Sequence, residues 1–335
     1  MATVGSLVYT YADWAKRLDP DGKVSAVVEI LEQSNPILED ALVMESNGPT
    51  SHRTTVRTGL PTVTWRQLNY GVQTSKSTVK QVDDTIGMLE SYAEVDKDLA
   101  DLNGNTAEFR LSEDKPFLEA MNQEMASTLF YGNTQTDPKK FMGLAPRYNS
   151  IGTDPLLSSY NVIDAGGSGS DNTSIWLVVW GDQTCHMTFP KGKIAGFKHT
   201  DLGEETLEDS AGGKYQGYRT HYKWDAGFVL RDWRFVVRIA NVDISDLETY
   251  GSGSDTSTKL IFHMIKAMHK IPNLNMGNAV FYANETVLTW LDIMAMDKNN
   301  VYLTSQEYAG QMLTMFRKVP VKKCDALLNT EAQVT

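Results

Sequence analysis

Metal ligation and nucleophilic attack would fall first to six histidines, His52, His186, His199, His221, His263 and His269, and to Cys185 and Cys324. His263 and His269 stand six apart, so on a helix they miss the shared face that an i, i+4 zinc pair needs. Cys185 and His186 are neighbours in an extended stretch, which sends their side chains to opposite faces. Cys324 precedes Asp325 with no base close by and reads as a buried or idle thiol. Residues 191–205, KGKIAGFKHTDLGEE, lack phosphate-loop spacing and a strand-to-helix setting. DPDGK at 19–23 opens like a calcium loop, but Pro20 and Lys23 break it and no Glu closes it. Glu204 and Glu205 could pair as acid and base, yet nothing separates them from a solvated face, and no Gly-x-Ser-x-Gly elbow occurs. We assign no catalytic residue, no metal ligand and no cofactor, and read the chain as a non-enzyme.

The elements that carry these residues point to surfaces instead. In residues 218–243, Tyr218, Thr220, Tyr222 and Trp224 alternate with Arg219, His221 and Lys223, the period of a strand with one apolar face. Asp225-Ala226-Gly227 supplies turn chemistry, after which Trp233, Phe235, Val237 and Ile239 resume the alternation. The spacing predicts a long hairpin, with Arg231, Asp232, Arg234 and Arg238 on its outer, partner-facing side. Residues 53–82 are rich in Thr, Val, Ser and Gln. They read as strand arms at 62–68 and 78–82 around a polar tip at 69–77. Such a ribbon is not stable alone in water and needs a second surface. Of seven tryptophans, Trp65 is the one on this ribbon without a local core, which suits an anchor on a neighbour.

Other segments read more simply. Val24, Val27, Val28 and Leu31 mark a short amphipathic helix after Asp21-Gly22. Residues 86–95 alternate and pass into a short helix that stops at Asn103-Gly104. Ser112 caps the longest helix, 112–131, with Leu118, Met121, Met125 and Leu129 as its buried stripe and Gly132 as its end. Residues 175–180 are a continuous apolar run, read as a buried strand. Residues 203–217 look like an acidic, glycine-rich excursion, and GSGS at 251–254 reads as a flexible connection. Beyond it come a helix marked by Ile261, Met264, Ile265 and Met268 and another, capped by Asn284, with Val287, Leu288, Leu291 and Met294. Strands at 301–304 and 312–316 and an extended segment at 319–324 follow.

Composition narrows the class. With 335 residues, 41% hydrophobic and 22% charged, the chain can bury a sizeable core, which excludes wholesale disorder. A net charge of −11 without a polybasic tract excludes a dedicated nucleic-acid binder. Two cysteines point to a reducing compartment, no run is long enough for a membrane helix, and the first residues lack a secretory pattern. Synthesis in a cytosol is expected.

Taken in order, the ribbon at 53–82, the strand at 86–95, the long helix ending in MASTLFYGN (125–133) and the following FMGLAPRYN (141–149) resemble a family. They are similar to tailed-bacteriophage major capsid proteins of the Hong Kong 97-like fold, in particular the short-tailed Bordetella phage branch. FVVRIANVD (235–243) resembles a peripheral-domain strand, FYANETVLTWLDIMAMDKNNVYLT (281–304) the axial helix and strand, and VPVKKCDALLNTEAQV (319–334) the family's G-x-P-V segment. The resemblance touches most of the chain. It implies an α+β fold with an N-terminal arm and helix (1–50), an extended E-loop (51–84), a peripheral domain with the spine helix (85–250) and an α/β axial domain (251–335). The family usually carries its last peripheral strand at the C-terminus, so a buried strand in mid-chain implies a rearranged connectivity. By resemblance the chain is a shell protein that forms hexamers and pentamers around double-stranded DNA. Its implied partners are further copies of itself, scaffold, portal and cement proteins, and non-specific DNA on the inner face, with no membrane. Virion localisation and synthesis in a bacterial host follow. The expected intersubunit residues are Trp65, Arg66, Lys76, Lys80, Arg231, Arg234 and Arg238. The rival reading, motivated by the tryptophans, is a secreted β-rich carbohydrate-binding module.

Overall fold

The structure, a computed structural model, describes residues 33–101, 106–209, 211–248, 256–295, 303–308 and 311–335. The N-terminal helix expected after Asp21, the Asn103-Gly104 stop and the GSGS connection at 251–254 lie outside them. In chain order the elements are α1 (Ile37–Asp40), β1 (Val43–Glu45), β2 (Ser51–Gly59), β3 (Thr78–Asp96), α2 (Lys97–Asp101), α3 (Thr106–Tyr131), β4 (Val162–Asp164), β5 (Asn172–Trp180), β6 (Cys185–Phe189), β7 (Phe197–Glu208), β8 (Lys214–Leu230), β9 (Val236–Asp243), α4 (Ile244–Glu248), α5 (Thr256–Lys270), β10 (Asn278–Ala283), α6 (Glu285–Ala295), β11 (Leu303–Tyr308), β12 (Gln311–Phe316) and β13 (Val319–Lys323). The chain divides into two compact units, residues 88–125 with 196–225, and residues 34–87, 126–195 and 226–335.

In the larger unit β5 is the central strand. It pairs antiparallel with β9 on one edge and β10 on the other, and all nine of its residues are buried. A strand covered on both faces has no solvent side to keep polar, which is why IWLVVW shows a run and no alternation. Asn172, Thr173 and Ser174 before it are buried polar groups. Ile175, Leu177 and Val179 face a core shared with Val237, Ile239, Phe281, Met264, Ala267, Val287 and Leu291. Burying each such side chain stabilises the fold by about 1.5–3 kcal/mol. This core joins residues 163–179 and 235–247 to the C-terminal helices, so the expected domain limit at 250 falls inside it. Asn284 caps α6 as expected, accepting from Val287 N at 2.9 Å.

The smaller unit is built on the antiparallel pairing of β7 with β8, whose 218–224 stretch keeps its period of two, with Thr220 and Tyr222 buried. Tyr222 packs with Ala93 and Met121, and Tyr218 against Val95, Leu99 and Phe109.

Three expectations are corrected. Asp225-Ala226-Gly227 is no turn: β8 runs through it, and a Cβ on Gly227 would stand 2.9 Å from the Thr85 carbonyl oxygen. That glycine serves close strand packing. The chain turns instead at Trp233–Phe235, where Asp232 accepts from Arg234 N, and β9 pairs with β4 and β5 rather than with β8. The excursion at 203–217 is thus mostly strand, and the long hairpin is β7–β8. Lastly, α3 begins at Thr106, six residues before Ser112, whose hydroxyl donates to the Phe109 carbonyl within the helix. Its 26 residues make about 39 Å of helix, and Leu118 is exposed while Met121, Met125 and Leu129 are buried.

The end of α3 explains the two glycines of MASTLFYGN and FMGLAPRYN. Gly132 N donates to Thr128 O (2.8 Å), Gly143 N to Gly132 O (2.7 Å) and Leu144 N to Leu129 O (2.9 Å). The returning chain lies so near that a Cβ on Gly143 would meet Thr128 O at 2.6 Å and Leu129 O at 2.8 Å. Backbone atoms cannot rotate away. Gly143→Ala should therefore lower stability by about 1–3 kcal/mol, read as a lower urea midpoint at unchanged slope; an unchanged midpoint would mean that the segment shifts freely.

Candidate intersubunit surface

Residues 60–77, between β2 and β3, form no strand and are exposed almost throughout. The expected arm at 62–68 is therefore not a strand, while 78–82 belongs to β3. The loop is tied to itself: Tyr70 N donates to Gln67 O at 3.2 Å, and Ser75 Oγ to Thr62 O at 2.8 Å. Asn69 takes the left-handed conformation at the tip, with φ 67°. Trp65 is fully exposed, and Leu60, Val63, Leu68 and Tyr70 are each at least 70% exposed. Isolated apolar residues on a surface are ordinary, whereas five exposed within one loop are the pattern expected of an interaction site.

Charge adds to this. Residues 51–82 contain no Asp or Glu but carry Arg53, Arg57, Arg66, Lys76 and Lys80 in a chain of net charge −11. Arg53 pairs with Asp83 at 2.7 Å at the foot of the hairpin. Arg66, Lys76 and Lys80 are exposed.

The three downstream arginines do not form one outer face. Arg231 pairs with Asp182 at 3.0 Å, and Arg234 is half exposed and pairs with Asp232 at 2.6 Å. Arg238 is 4% exposed, lies inside, and its assignment to an outward surface is corrected. β9 is covered on both sides, so the alternation that seemed to turn Arg238 outward turns it into the interior. Its Nη2 meets Glu331 Oε2 at 2.8 Å, its Nε donates to Ser174 Oγ at 2.9 Å and its Nη1 to Tyr148 O at 2.9 Å. The guanidinium also stacks over Trp176, 5.2 Å from the ring centroid. Glu331 accepts further from the Tyr131 hydroxyl at 2.5 Å and from Ser174. Burial, and then the Glu331 carboxylate, push the Tyr131 phenol well above its usual value, so it stays a donor.

In the smaller unit the charged side of β8 is likewise used within the chain. Arg219 pairs with Glu94 (2.6 Å) and Glu205 (3.2 Å), Arg110 with Asp201 (2.6 Å), Lys97 with Glu204 (2.8 Å), and Lys223 with Glu90. Glu204 and Glu205 are thus ion-pair partners. Both thiols are buried, and burial pushes Cys324 up to about 12 and Cys185 further, which suits inert packing. Sequence reasoning missed the Arg238–Glu331 pair. Its signal was a lone Arg inside the run FVVRIANV, since an unpaired charge is almost never fully buried.

Known proteins resemble this chain in sequence and in fold. The family model for Major capsid protein GP7 matches residues 19–335. The chain belongs to this family. A solved capsid protein of bacteriophage epsilon15 is 34% identical, with a TM-score of 0.78 over 100% of both chains. More distant are a capsid chain of a native GTA particle (10% identity, 70% of this chain and 99% of that chain, TM-score 0.46) and one of Myoviridae phage XM1 (11%, 65% and 96%, 0.44). No curated protein matches. The fold is the α+β, Hong Kong 97-like one that the resemblance implied. The chain is a phage major capsid protein, a structural component of the virion, in a family that is not one of enzymes. Neither comparison supports the carbohydrate-binding alternative.

Truncating Glu331 would leave a buried guanidinium uncompensated. Glu331→Ala should cost about 3–5 kcal/mol, whereas the apolar pair Arg238→Met/Glu331→Leu should cost far less. Denaturant unfolding of the single and double variants checks this; equal losses would show that packing, and not the charge, dominates.

Proposed function

We propose that this capsid protein closes into hexameric and pentameric rings that tile an icosahedral shell around double-stranded DNA, with the loop at 60–77 laid over a neighbouring copy. The observation that carries the reading is the loop itself, which displays Trp65 and its apolar companions with no core of its own chain beneath them. A head-to-tail contact of this kind is heterologous and generates rings when the rotation closes. Each contact can be weak, because many copies multiply it. Trp65 is the anchor; Arg66, Lys76 and Lys80 steer the loop to acidic surface on the neighbour and set register. Arg231 and Arg234, already paired locally, serve at the rim. Residues 1–50 act as the arm and 51–84 as the extended loop of this assembly.

Net charge fits the container. A strongly basic lining would hold phosphates tightly and impede release of the genome, whereas a chain at −11 makes non-specific contact only. Scaffold, portal and cement proteins are the further partners, and synthesis in the bacterial cytoplasm precedes assembly.

Electron microscopy of the purified full-length chain tests the reading directly: ordered shells or rings are expected, and a strict monomer at every concentration and salt condition would defeat it. Replacing 60–77 by a short Gly-Ser turn should abolish assembly while leaving far-UV circular dichroism unchanged. Trp65→Ala should raise the concentration needed for assembly at least tenfold, as loss of an interface anchor worth about 2 kcal/mol does. Normal assembly of both variants would remove the bracing role.

A further inference from the structure

At the foot of the loop hairpin lies a pair of buried histidines that neither the fold nor the shell reading uses. His52 is on β2, directly across from Asp84 on β3, and His186 is on β6, across from Val229 on β8. The chain leaves β1, which pairs with β6, and enters β2 after only five residues, although β2 and β6 are not neighbours in the sheet. The two rings meet edge to face, 5.6 Å between centroids and 87° between planes. His186 is wholly buried and His52 4% exposed.

Their surroundings are unusual for polar groups. None of the four ring nitrogens has a hydrogen-bond partner, and the same holds for the buried hydroxyls of Thr54 and Thr188. These threonines are two residues along from the histidines on the same strands, hence on the same faces. The charged groups that face the pair are few. Arg231, bound to Asp182 at 3.0 Å, opposes a positive charge on both rings. Asp84 favours one on His52, but it is engaged by Arg147 at 2.7 Å. Asp182 favours one on His186, as does the Gly181 carbonyl, which does not reach hydrogen-bonding geometry. Each imidazolium would also repel the other.

We propose that His52 and His186 form an acid-sensitive link between β2 and β6, which holds the foot of the hairpin closed while both rings are neutral and lets it open when they gain protons. A neutral imidazole can rest its edge on another ring. An imidazolium has two N–H donors, here has no acceptor in hydrogen-bonding geometry, and stands beside a guanidinium, so it must admit water or swing out. The other ties of β2 are its ladder with β3 and the bonds of Asn47 to Arg53, at 2.7 and 2.9 Å. They join β2 to its own hairpin and entry turn. That turn is held to β6 by Ser46 N, which donates to Phe189 O at 2.9 Å, and β3 neighbours β8 in the sheet. The ring contact is thus the tie made by the start of β2 itself.

The direction in pH follows from burial. Burial first, and then Arg231, lower His186 from 6.5 to about 4, and the same two causes lower His52. An opened foot binds protons more readily than a closed one. The closed form is therefore fully favoured above the ordinary histidine value and loses ground as pH falls from 6.5 towards 4. The device is independent of whether the loop docks on a neighbour, and its test can fail while the shell reading stands.

Hydrogen exchange of the full-length chain, expressed as protection factors, reads the link at pH 7.5 and pH 5. Protection at 51–59 and 78–85 should fall about thirty-fold, the linkage expected for one site moving between the two values above, while β5 and β10 keep theirs. In His52→Phe/His186→Phe the fall should vanish. An equal loss in β5 and β10, or an undiminished fall in the double variant, would overturn the proposal. If the double variant does not fold, exchange at the imidazole C2 position of the unaltered chain gives each histidine's titration midpoint. Midpoints below 6.5 for both support the link, and a midpoint at or above 6.5 for either in the folded chain defeats it.

Discussion

A guanidinium inside a sheet is tolerable only if every one of its donors is met, and Arg238 imposes that condition on four distant parts of this chain. Ser174 on β5, Tyr148 after the spine helix, Tyr131 at the helix end and Glu331 near the C-terminus all converge on it, directly or through the shared carboxylate. Hydrophobic burial alone would accept several sliding registers between β5 and β9. A charge with fixed partners accepts one. The C-terminal segment, which has almost no regular structure, is pinned by the same atoms: Glu331 N donates to Asn172 O, and Val334 N to Asn241 Oδ1.

The hairpin of β2 and β3 obeys the opposite logic. Its loop satisfies backbone and hydroxyl groups locally and shows its apolar side chains to solvent. A subunit that must remain folded before assembly and then adhere to copies of itself needs both regimes in one chain. The interior has to be closed by specific polar pairs, and the contact element has to be separable from that interior. The two glycines behind α3 serve the same end, because they let the returning chain brace the helix by backbone bonds alone.

Much of this was legible in the sequence, and the failures have a common cause. Period and composition identified the buried β5, the capped α6, the alternation in 218–224 and the ribbon with its exposed Trp65. All of these depend on local pattern. The reading failed where tertiary packing overrides pattern. Asp-Ala-Gly at 225–227 has turn chemistry, yet Gly227 is there because Thr85 O leaves no room for a side chain. Arg238 follows the alternation faithfully, but alternation says only which face a residue shares, not whether water covers that face. The histidine pair was invisible for a related reason: residues 52 and 186 are brought together by strands that are not neighbours in the sheet.

Charge is where these threads meet. In both units many basic residues are matched by a carboxylate of the same chain, from Lys97–Glu204 and Arg219–Glu94 to Arg231–Asp182 and Lys322–Asp40. Matched pairs at a surface contribute little energy, yet they remove those charges from any long-range pull on a second molecule. The basic residues of the loop have no carboxylate within their own stretch to pair with, and taking the loop out leaves the remainder more acidic still. In the proposed assembly, that separation of sign would draw loop to body and set body against body. Such an attraction would be asymmetric and head-to-tail, the kind that closes into rings and does not stop at a two-fold dimer.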